Sequence, residues 1–347
     1  MGGGATGVKV LVTGGGGFLG GKIAAMLHQR GDDVTALGRN RYPALEREGI
    51  KTTQADVRDA QAIQRACEGM DVVFHTAAVA GIWGKRDTYY QINTVGTRNV
   101  LAACLACGVG KLIFTSSPSV AIGGGAIRGV DESIAYPKRY LTHYSETKAI
   151  AEREVLEANG DRLLTVALRP HLIWGPGDPH LMPRVVDRAR RKKLVRVGDG
   201  SNLVDITYID NAARAHLQAA DALASGSPCA GRAYFITNGE PLRLWEWFAR
   251  VLEAVGAPPV TRSMSYPTAY RIGAALEWTF RLLGIRREPL MTRFLAGQLG
   301  LPHYFDILAA RRDFGYTVEV SVEQGTGRLV EWLLEGSGQD VRPAEPR

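Results

Sequence analysis

No run of about 18 uninterrupted apolar residues occurs in the 347-residue sequence, so a membrane-spanning helix is not expected. Cysteine is scarce: Cys67, Cys104, Cys107 and Cys229 are too few and too scattered for a disulfide framework. Cys104 and Cys107 form a CxxC, but they fall in an apparent helix, Thr97 to Ala106, with no second Cys/His pair to complete a zinc site. They read as small buried helix residues, and no metal is expected. No secretory signal precedes the first apolar strand, and a reducing cytoplasm is the expected setting. There is no repeat of fixed period. At 45% hydrophobic and 22% charged, the composition has no collagen-like, disordered or membrane bias, which leaves an ordinary folded globular chain. The charge excess of +7 is too mild to imply nucleic acid; it suits an anionic cofactor, an anionic substrate or a membrane surface equally well.

From Val8 onward, short apolar runs alternate with longer stretches of helical spacing, the signature of βαβ units and a parallel sheet. Six strands are predicted: Lys9 to Thr13, Asp33 to Leu37, Lys51 to Ala55, Val72 to His75, Leu112 to Thr115 and Leu164 to Arg169. Between them, Ile23, Met26 and Leu27, or Val100, Leu101 and Cys104, recur at helical spacing. The expected fold is α/β: a Rossmann doubly wound parallel sheet with a smaller C-terminal substrate-binding domain. Residues 8–170, with a return segment near 204–236, form the dinucleotide-binding part, and 171–203 with 237–336 the substrate part. The Gly-rich residues 1–7 and residues 337–347 read as flexible tails. After Arg169-Pro170 the regularity breaks at Gly175-Pro176-Gly177-Asp178-Pro179, followed by a basic helix near Arg184 to Lys193.

Gly14, Gly17 and Gly20, with Phe18 and Leu19 between the last two, follow a strand and open a helix. In that context glycine permits a tight turn, lets backbone approach a pyrophosphate and lets helix pack on sheet, while the helix N-terminus attracts phosphate. The second strand ends at Leu37-Gly38-Arg39-Asn40-Arg41, where an NAD enzyme usually places an acid for the ribose 2′-hydroxyl. That acid is absent. Arg39, with Arg41 nearby, offers a planar fork of donors to a 2′-phosphate, so NADPH/NADP+ is expected, with NAD as the alternative and solvated loop charges as the bland reading.

Tyr144 and Lys148 stand at i and i+4 in Tyr144-Ser145-Glu146-Thr147-Lys148, on one face of a helix one turn apart. A free phenol ionises near pH 10; a cation one turn away is expected to lower that value and make Tyr144 a usable acid or base. Thr115, Ser116 and Ser117 place hydroxyls at the carboxyl end of a parallel strand, the edge where such sheets bind ligands.

With the glycine turn, the serine and the YxxxK in this order and spacing, the chain resembles the extended short-chain dehydrogenase/reductase family over nearly its whole length. The resemblance implies that Tyr144 is the proton donor to a carbonyl. Lys148 would lower its pKa and bind the nicotinamide ribose, and Ser117, with Ser116 as fallback, would hold the carbonyl oxygen. Asn93 matches a position that supports the site, or else caps a helix. Asp56-Val57 resembles the family's adenine-contacting acid, or else Asp56 caps the helix that begins near Asp59. His75-Thr76-Ala77-Ala78 resembles the small-residue segment across which the cofactor lies, and His75 itself reads as packed or hydrogen-bonded. Homodimerisation is expected by family analogy.

Four segments, Ala78 to Gly84, Thr115 to Val120, Leu168 to Asp178 and Asp205 to Asn211, are similar to the 3β-hydroxysteroid dehydrogenase-like branch. Within it, the likeness points to bacterial reductases of long-chain 2-alkyl-3-oxoalkanoates in olefin biosynthesis, with sterol dehydrogenases next. Pro118-Ser119 stands where sugar-nucleotide dehydratases carry Asp-Glu, and Gly38-Arg39 where sugar epimerases keep an acid. A nucleotide-sensing protein without turnover is the reading from another class; intact Tyr144, Lys148 and Ser117 argue against it. Trp83, Trp174, Tyr266, Tyr270, Trp278 and Phe280 are candidates to line an apolar, lipid-like substrate pocket, or are ordinary core. Arg184, Arg188, Arg190, Arg191, Lys192 and Lys193 are candidates to receive a carboxylate, or are a solvated helix face. Ala269 to Ile285 carries Ile272, Leu276, Phe280 and Leu283 on one face with Arg271, Arg281, Arg286 and Arg287 nearby. It is expected to pack on the Rossmann core; the alternative is peripheral contact with a membrane or a partner enzyme.

Overall fold

Strict alternation along a strand sends successive side chains to opposite faces, and here both faces are apolar. In the computed structural model, which describes residues 7–179 and 181–336, Val10 and Val12 face one side of the central sheet and Leu11 the other. The expected tails, apart from Gly7, lie outside the described residues. The strands β1 (Lys9–Thr13), β2 (Asp33–Gly38), β3 (Lys51–Gln54), β4 (Val72–His75) and β5 (Lys111–Thr115) pair in parallel, as expected. A further short strand, β6 (Ile127–Val130), is followed by β7 (Leu164–Pro170), which pairs with β5. The sheet has seven strands rather than six. The seventh, Arg232–Ile236, pairs in parallel with β7 and was hidden among loop-like residues because it is short and begins with Arg232. The order, Arg232–Ile236, β7, β5, β4, β1, β2, β3, reverses direction beside β1 and leaves a crevice at the strands' carboxyl ends.

One layer packs Val10, Val12, Val34, Phe74, Ile113 and Val166 against Ile23 and Leu27 of the helix Phe18–Arg30 and the alanines of Ile209–Ala222. The other packs Leu11, Leu37, Val73, Leu112 and Phe114 against Ile63, Val100, Cys104, Ala151 and Val155. Cys104 is buried and Cys107 half-buried, and no metal-holding cluster occurs among the described residues. Truncating a fully buried residue such as Ile23 removes about 2–5 kcal/mol.

A separate four-stranded sheet pairs β6 in parallel with His303–Phe305, so residues 127–130, which fall between two strands of the central sheet in sequence, join the C-terminal segment instead. The basic helix spans Leu181–Arg190. The helix Tyr266–Leu282 does not bring its apolar stripe to the Rossmann core. It buries Ala269, Gly273 and Glu277, one narrow small-residue face, against the helix Arg293–Gly300, and a Cβ on Gly273 would run into the Thr292 backbone. No helix among the described residues is long and apolar enough to cross a membrane.

Burial pushes the imidazoles of His75, His216 and His303 down to about 3, 4 and 4. Unfolding returns each to about 6.5, so below that pH the unfolded chain binds more protons and the native state loses up to about 1.4 kcal/mol per histidine per pH unit. Asp205, pushed up to about 7 by burial, acts oppositely between about 4 and 7, because there the folded chain keeps a proton that the unfolded chain loses. Three groups outweigh one. Urea titrations are therefore expected to give a lower midpoint at pH 5 than at pH 7, and a midpoint that is unchanged or higher at pH 5 would refute this balance.

Candidate active site

The glycine turn sits on the β1 end in a conformation side chains resist. Gly14 has φ +71°, and a Cβ there would press on Thr76 and Ala77 at the end of β4, 2.8 Å from the Ala77 nitrogen. A Cβ on Gly20 would strike the Gly14 carbonyl, so the absence of a side chain lets Phe18–Arg30 rest on the turn. Gly17 N donates to the Gly14 carbonyl at 2.8 Å and caps the helix with no side-chain partner, and the first turn holds no acid. Phe18 is half-buried beside Gly177, and Leu19 is buried. Bare amides at a helix start, free of competing carboxylates, fit a dinucleotide's phosphates.

Arg39 is exposed at the end of β2, and its carbonyl accepts from Gln54. Sequence reasoning missed Tyr42, whose ring lies across Gly16 and Gly38 where either Cβ would stand. Asp56 is not a helix cap: Asp59 caps Ala60–Cys67, accepting from Ala62 N at 3.0 Å. Asp56 instead holds Arg58 through both oxygens at 3.0 and 2.7 Å, and that pairing lowers its carboxyl pKa. Val57 packs under Gly96, and Ala77 N lies 3.4 Å from the Thr13 hydroxyl.

The catalytic candidates converge at the ends of β4 and β5. Thr142 caps the helix His143–Glu157, accepting from Ser145 N at 3.1 Å, which places Tyr144 in its first turn and Lys148 one turn on. Tyr144 is half-buried with Ser117 beside it: desolvation of the phenol raises its pKa and hydrogen bonding with Ser117 opposes the rise. The direction is opposite to that expected from the i, i+4 spacing. The lysine is turned elsewhere, its Nζ donating to the Thr115 carbonyl at 2.6 Å and lying 3.9 Å from the centre of the Phe114 ring. Burial pushes the Lys148 amine down to about 7, and Glu152 opposes the shift. Ser117 Oγ meets Ser119 Oγ at 3.0 Å, whereas the fallback Ser116 has a buried hydroxyl without a partner among the described residues.

Asn93 is not an N-cap. It lies in a π-helical turn, Tyr90–Val95, where Oδ1 accepts from Val79 N at 2.8 Å and Nδ2 donates to Val79 O and Thr147 Oγ1. It thus clamps the loop after β4 to the Tyr144 helix. His75 is held between Thr13 and Thr97, as a packed histidine is expected to be. Behind Lys148, Glu152 accepts two hydrogen bonds from Arg169 on β7 at 2.9 and 2.6 Å and one from Tyr136. This pair was also missed, although Glu152 follows Lys148 by one helical turn.

Of the aromatic candidates, Trp174 is core, packed on Tyr208 and Trp247. Tyr266 and Tyr270 pack in a small cluster with Val197 and Ala296. Trp83 is half-buried with Phe280 edge-on at 6.2 Å, and Trp278 is exposed. Arg184 lies 3.7 Å from Glu288 and Arg191 pairs with Asp187, while Arg190, Lys192 and Lys193 are exposed. Arg188 is half-buried.

The profile of the 3-beta hydroxysteroid dehydrogenase/isomerase family matches residues 11–266. The chain is 53% identical to a 2-alkyl-3-oxoalkanoate reductase of Stenotrophomonas maltophilia, over 93% of this chain and 98% of that protein. It is 48% identical to a Shewanella oneidensis protein of the same name, over 92% and 84%. Its identity to a decarboxylating sterol-4-alpha-carboxylate 3-dehydrogenase of Mus musculus is 32%, over 93% and 90%. Among solved structures, MoeE5 in complex with UDP-glucose and NAD superposes with a TM-score of 0.73 at 25% identity, over 95% of this chain and 99% of that one.

Removing Glu152 would leave the Arg169 cation buried and unpaired. Glu152→Ala is expected to cost about 3–5 kcal/mol in urea unfolding, and Glu152→Ala/Arg169→Met to recover part of that loss. A cost below about 1 kcal/mol would show that the pair does not hold the helix to the sheet.

Proposed function

The chain belongs to the 3-beta hydroxysteroid dehydrogenase/isomerase family of NAD(P)-dependent oxidoreductases, and we propose that it reduces the ketone of a long-chain 2-alkyl-3-oxoalkanoate to the 2-alkyl-3-hydroxyalkanoate with NADPH. The observation that carries the activity is the half-buried Tyr144, its phenol beside the Ser117 hydroxyl at the carboxyl end of β5. The substrate class draws on the 53% identity across 98% of the Stenotrophomonas reductase.

The nicotinamide cofactor, when bound, supplies the hydride. Gly14 to Gly20 would hold its phosphates on the bare helix start, and the absence of an acid after β2 would leave Arg39 to meet a 2′-phosphate. Ser117 donates a hydrogen bond to the ketone oxygen and fixes its position. Tyr144 delivers its phenolic proton to that oxygen as it gains charge. A phenol carries its proton at neutral pH even when unperturbed, and the raised pKa of Tyr144 holds it more firmly, so the acid form is in place before the ketone arrives. Lys148, tied to the Thr115 carbonyl, and Asn93, tied to Val79 and Thr147, hold the helix and the loop that frame this oxygen.

Purified protein screened with NADP+ at 340 nm is expected to oxidise 2-alkyl-3-hydroxy acids; activity confined to sterols or sugar nucleotides would overturn the substrate class. Tyr144→Phe is expected to abolish turnover while cofactor binding, read by fluorescence titration, stays within about threefold. Retained turnover refutes the proton-donor role. Arg39→Asp is expected to lower kcat/KM with NADPH by roughly 10- to 100-fold, the worth of a charge-assisted contact, and to spare NADH. No shift in preference would sink the 2′-phosphate assignment.

A further inference from the structure

Among the described residues, ten large apolar side chains are exposed, and six of them, Ile272, Trp278, Leu282, Leu283, Ile285 and Leu290, fall within nineteen positions. Trp278, Leu282, Leu283 and Leu290 are 65–72% exposed, which is too much unpartnered apolar surface for scattered surface residues. The helix Tyr266–Leu282 buries Ala269, Gly273 and Glu277 against its neighbour, so the exposed side chains of Trp278, Leu282 and Leu283 lie outside that buried contact. Arginine surrounds the patch: Arg271, Arg286 and Arg287 are exposed without an acidic partner among the described residues, and Arg281 lies beside Trp83. The acids nearby are neutralised, Glu277 by Arg293 at 2.7 Å and Glu288 by Arg184.

We propose that the end of the helix Tyr266–Leu282 and the turn that follows it, residues 283–290, dock on an anionic lipid surface. Leucines and isoleucine enter the headgroup boundary, Trp278 sits at its level, and the unpaired arginines meet lipid phosphates. A protein partner's interface core is depleted of charge, whereas here the unpaired charges that ring the apolar patch, Arg271, Arg286 and Arg287, are all positive. The patch also leads inward. Phe280 stacks edge-on with Trp83, whose Nε1 donates to the Ile285 carbonyl at 3.3 Å, and Trp83's own carbonyl accepts from Tyr89 Oη at 2.9 Å. Tyr89 in turn lies 6.5 Å from the ring of His143, the residue before Tyr144. On the reading that the substrate is a two-tailed acid, docking sets the catalytic helix two aromatic layers from the membrane that dissolves those tails.

The test sediments the full chain, without substrate or cofactor, with vesicles of phosphatidylcholine containing about a third phosphatidylglycerol. Binding that weakens with added salt and is largely lost on pure phosphatidylcholine is expected. Leu282→Glu/Leu283→Glu and Arg286→Gln/Arg287→Gln should each lower partitioning about tenfold or more, with the melting temperature and the reduction of a short-chain soluble 3-oxo acid unchanged. Absence of wild-type binding, binding by both variants at the wild-type level, or a dimer dissolved by the leucine variant without vesicle binding would each overturn the proposal. Because the sedimentation contains no substrate, its outcome is independent of whether the 3-oxo acid is reduced.

Discussion

A buried amine holds the centre of this molecule in register. Lys148 Nζ reaches from the Tyr144 helix to the carbonyl of Thr115, the last residue of β5, and rests against the Phe114 ring. Two residues after that carbonyl comes Ser117; one turn before the amine comes Tyr144. That hydrogen bond ties the helix that carries Tyr144 to the strand end that carries Ser117, the two hydroxyls proposed to address a ketone oxygen. Burying an ammonium is costly, and burial accordingly pushes the Lys148 amine down to about 7. Glu152, one turn further along the same helix, offsets part of it while pairing with Arg169 on β7. Helix, β5 and β7 are thus tied by groups that tolerate little displacement, because any gap leaves a charge uncompensated in a dry interior.

The cofactor side is governed by a different constraint, the exclusion of side chains. Gly14 lies so close to Thr76 and Ala77, and Gly20 to the Gly14 carbonyl, that the turn, the end of β4 and the first helix form one contact surface of backbone. Tyr42 covers the same turn from the β2 side, over Gly16 and Gly38. The glycine at position 38 thus removes the acid of an NAD site and also makes room for an aromatic ring next to Arg39.

Much of this was legible in the sequence because it is local. Strand alternation, the glycine turn between strand and helix, and Tyr144 with Lys148 at helical spacing each depend on residues within a few positions of one another. What escaped depends on distance in space. The strand Arg232–Ile236 has little apolar length of its own and is a strand because β7 offers it an edge. Asn93 bonds Val79 and Thr147, fourteen and fifty-four positions away, so its clamp could not be read from its own helix. Spacing put the Lys148 charge near the Tyr144 phenol, but the amine had a better acceptor in a carbonyl thirty-three residues upstream. The apolar stripe of Tyr266–Leu282 was visible, yet which side of that helix is buried was settled by the small residues that permit close approach, Ala269 and Gly273.

The reversed direction of the Tyr144 shift bears on which way the proposed chemistry runs most readily. A phenol holds its proton at neutral pH, the form a reduction consumes, and a raised pKa holds it more firmly. The reverse reaction begins by removing a proton from an alcohol and needs the phenolate, which burial disfavours. A catalyst cannot alter the overall equilibrium, but it can rest in the form that one direction uses. Desolvation of the Tyr144 phenol therefore widens the margin by which the acid form prevails at neutral pH, and with it the advantage of the proposed reduction over the reverse oxidation in its first proton transfer.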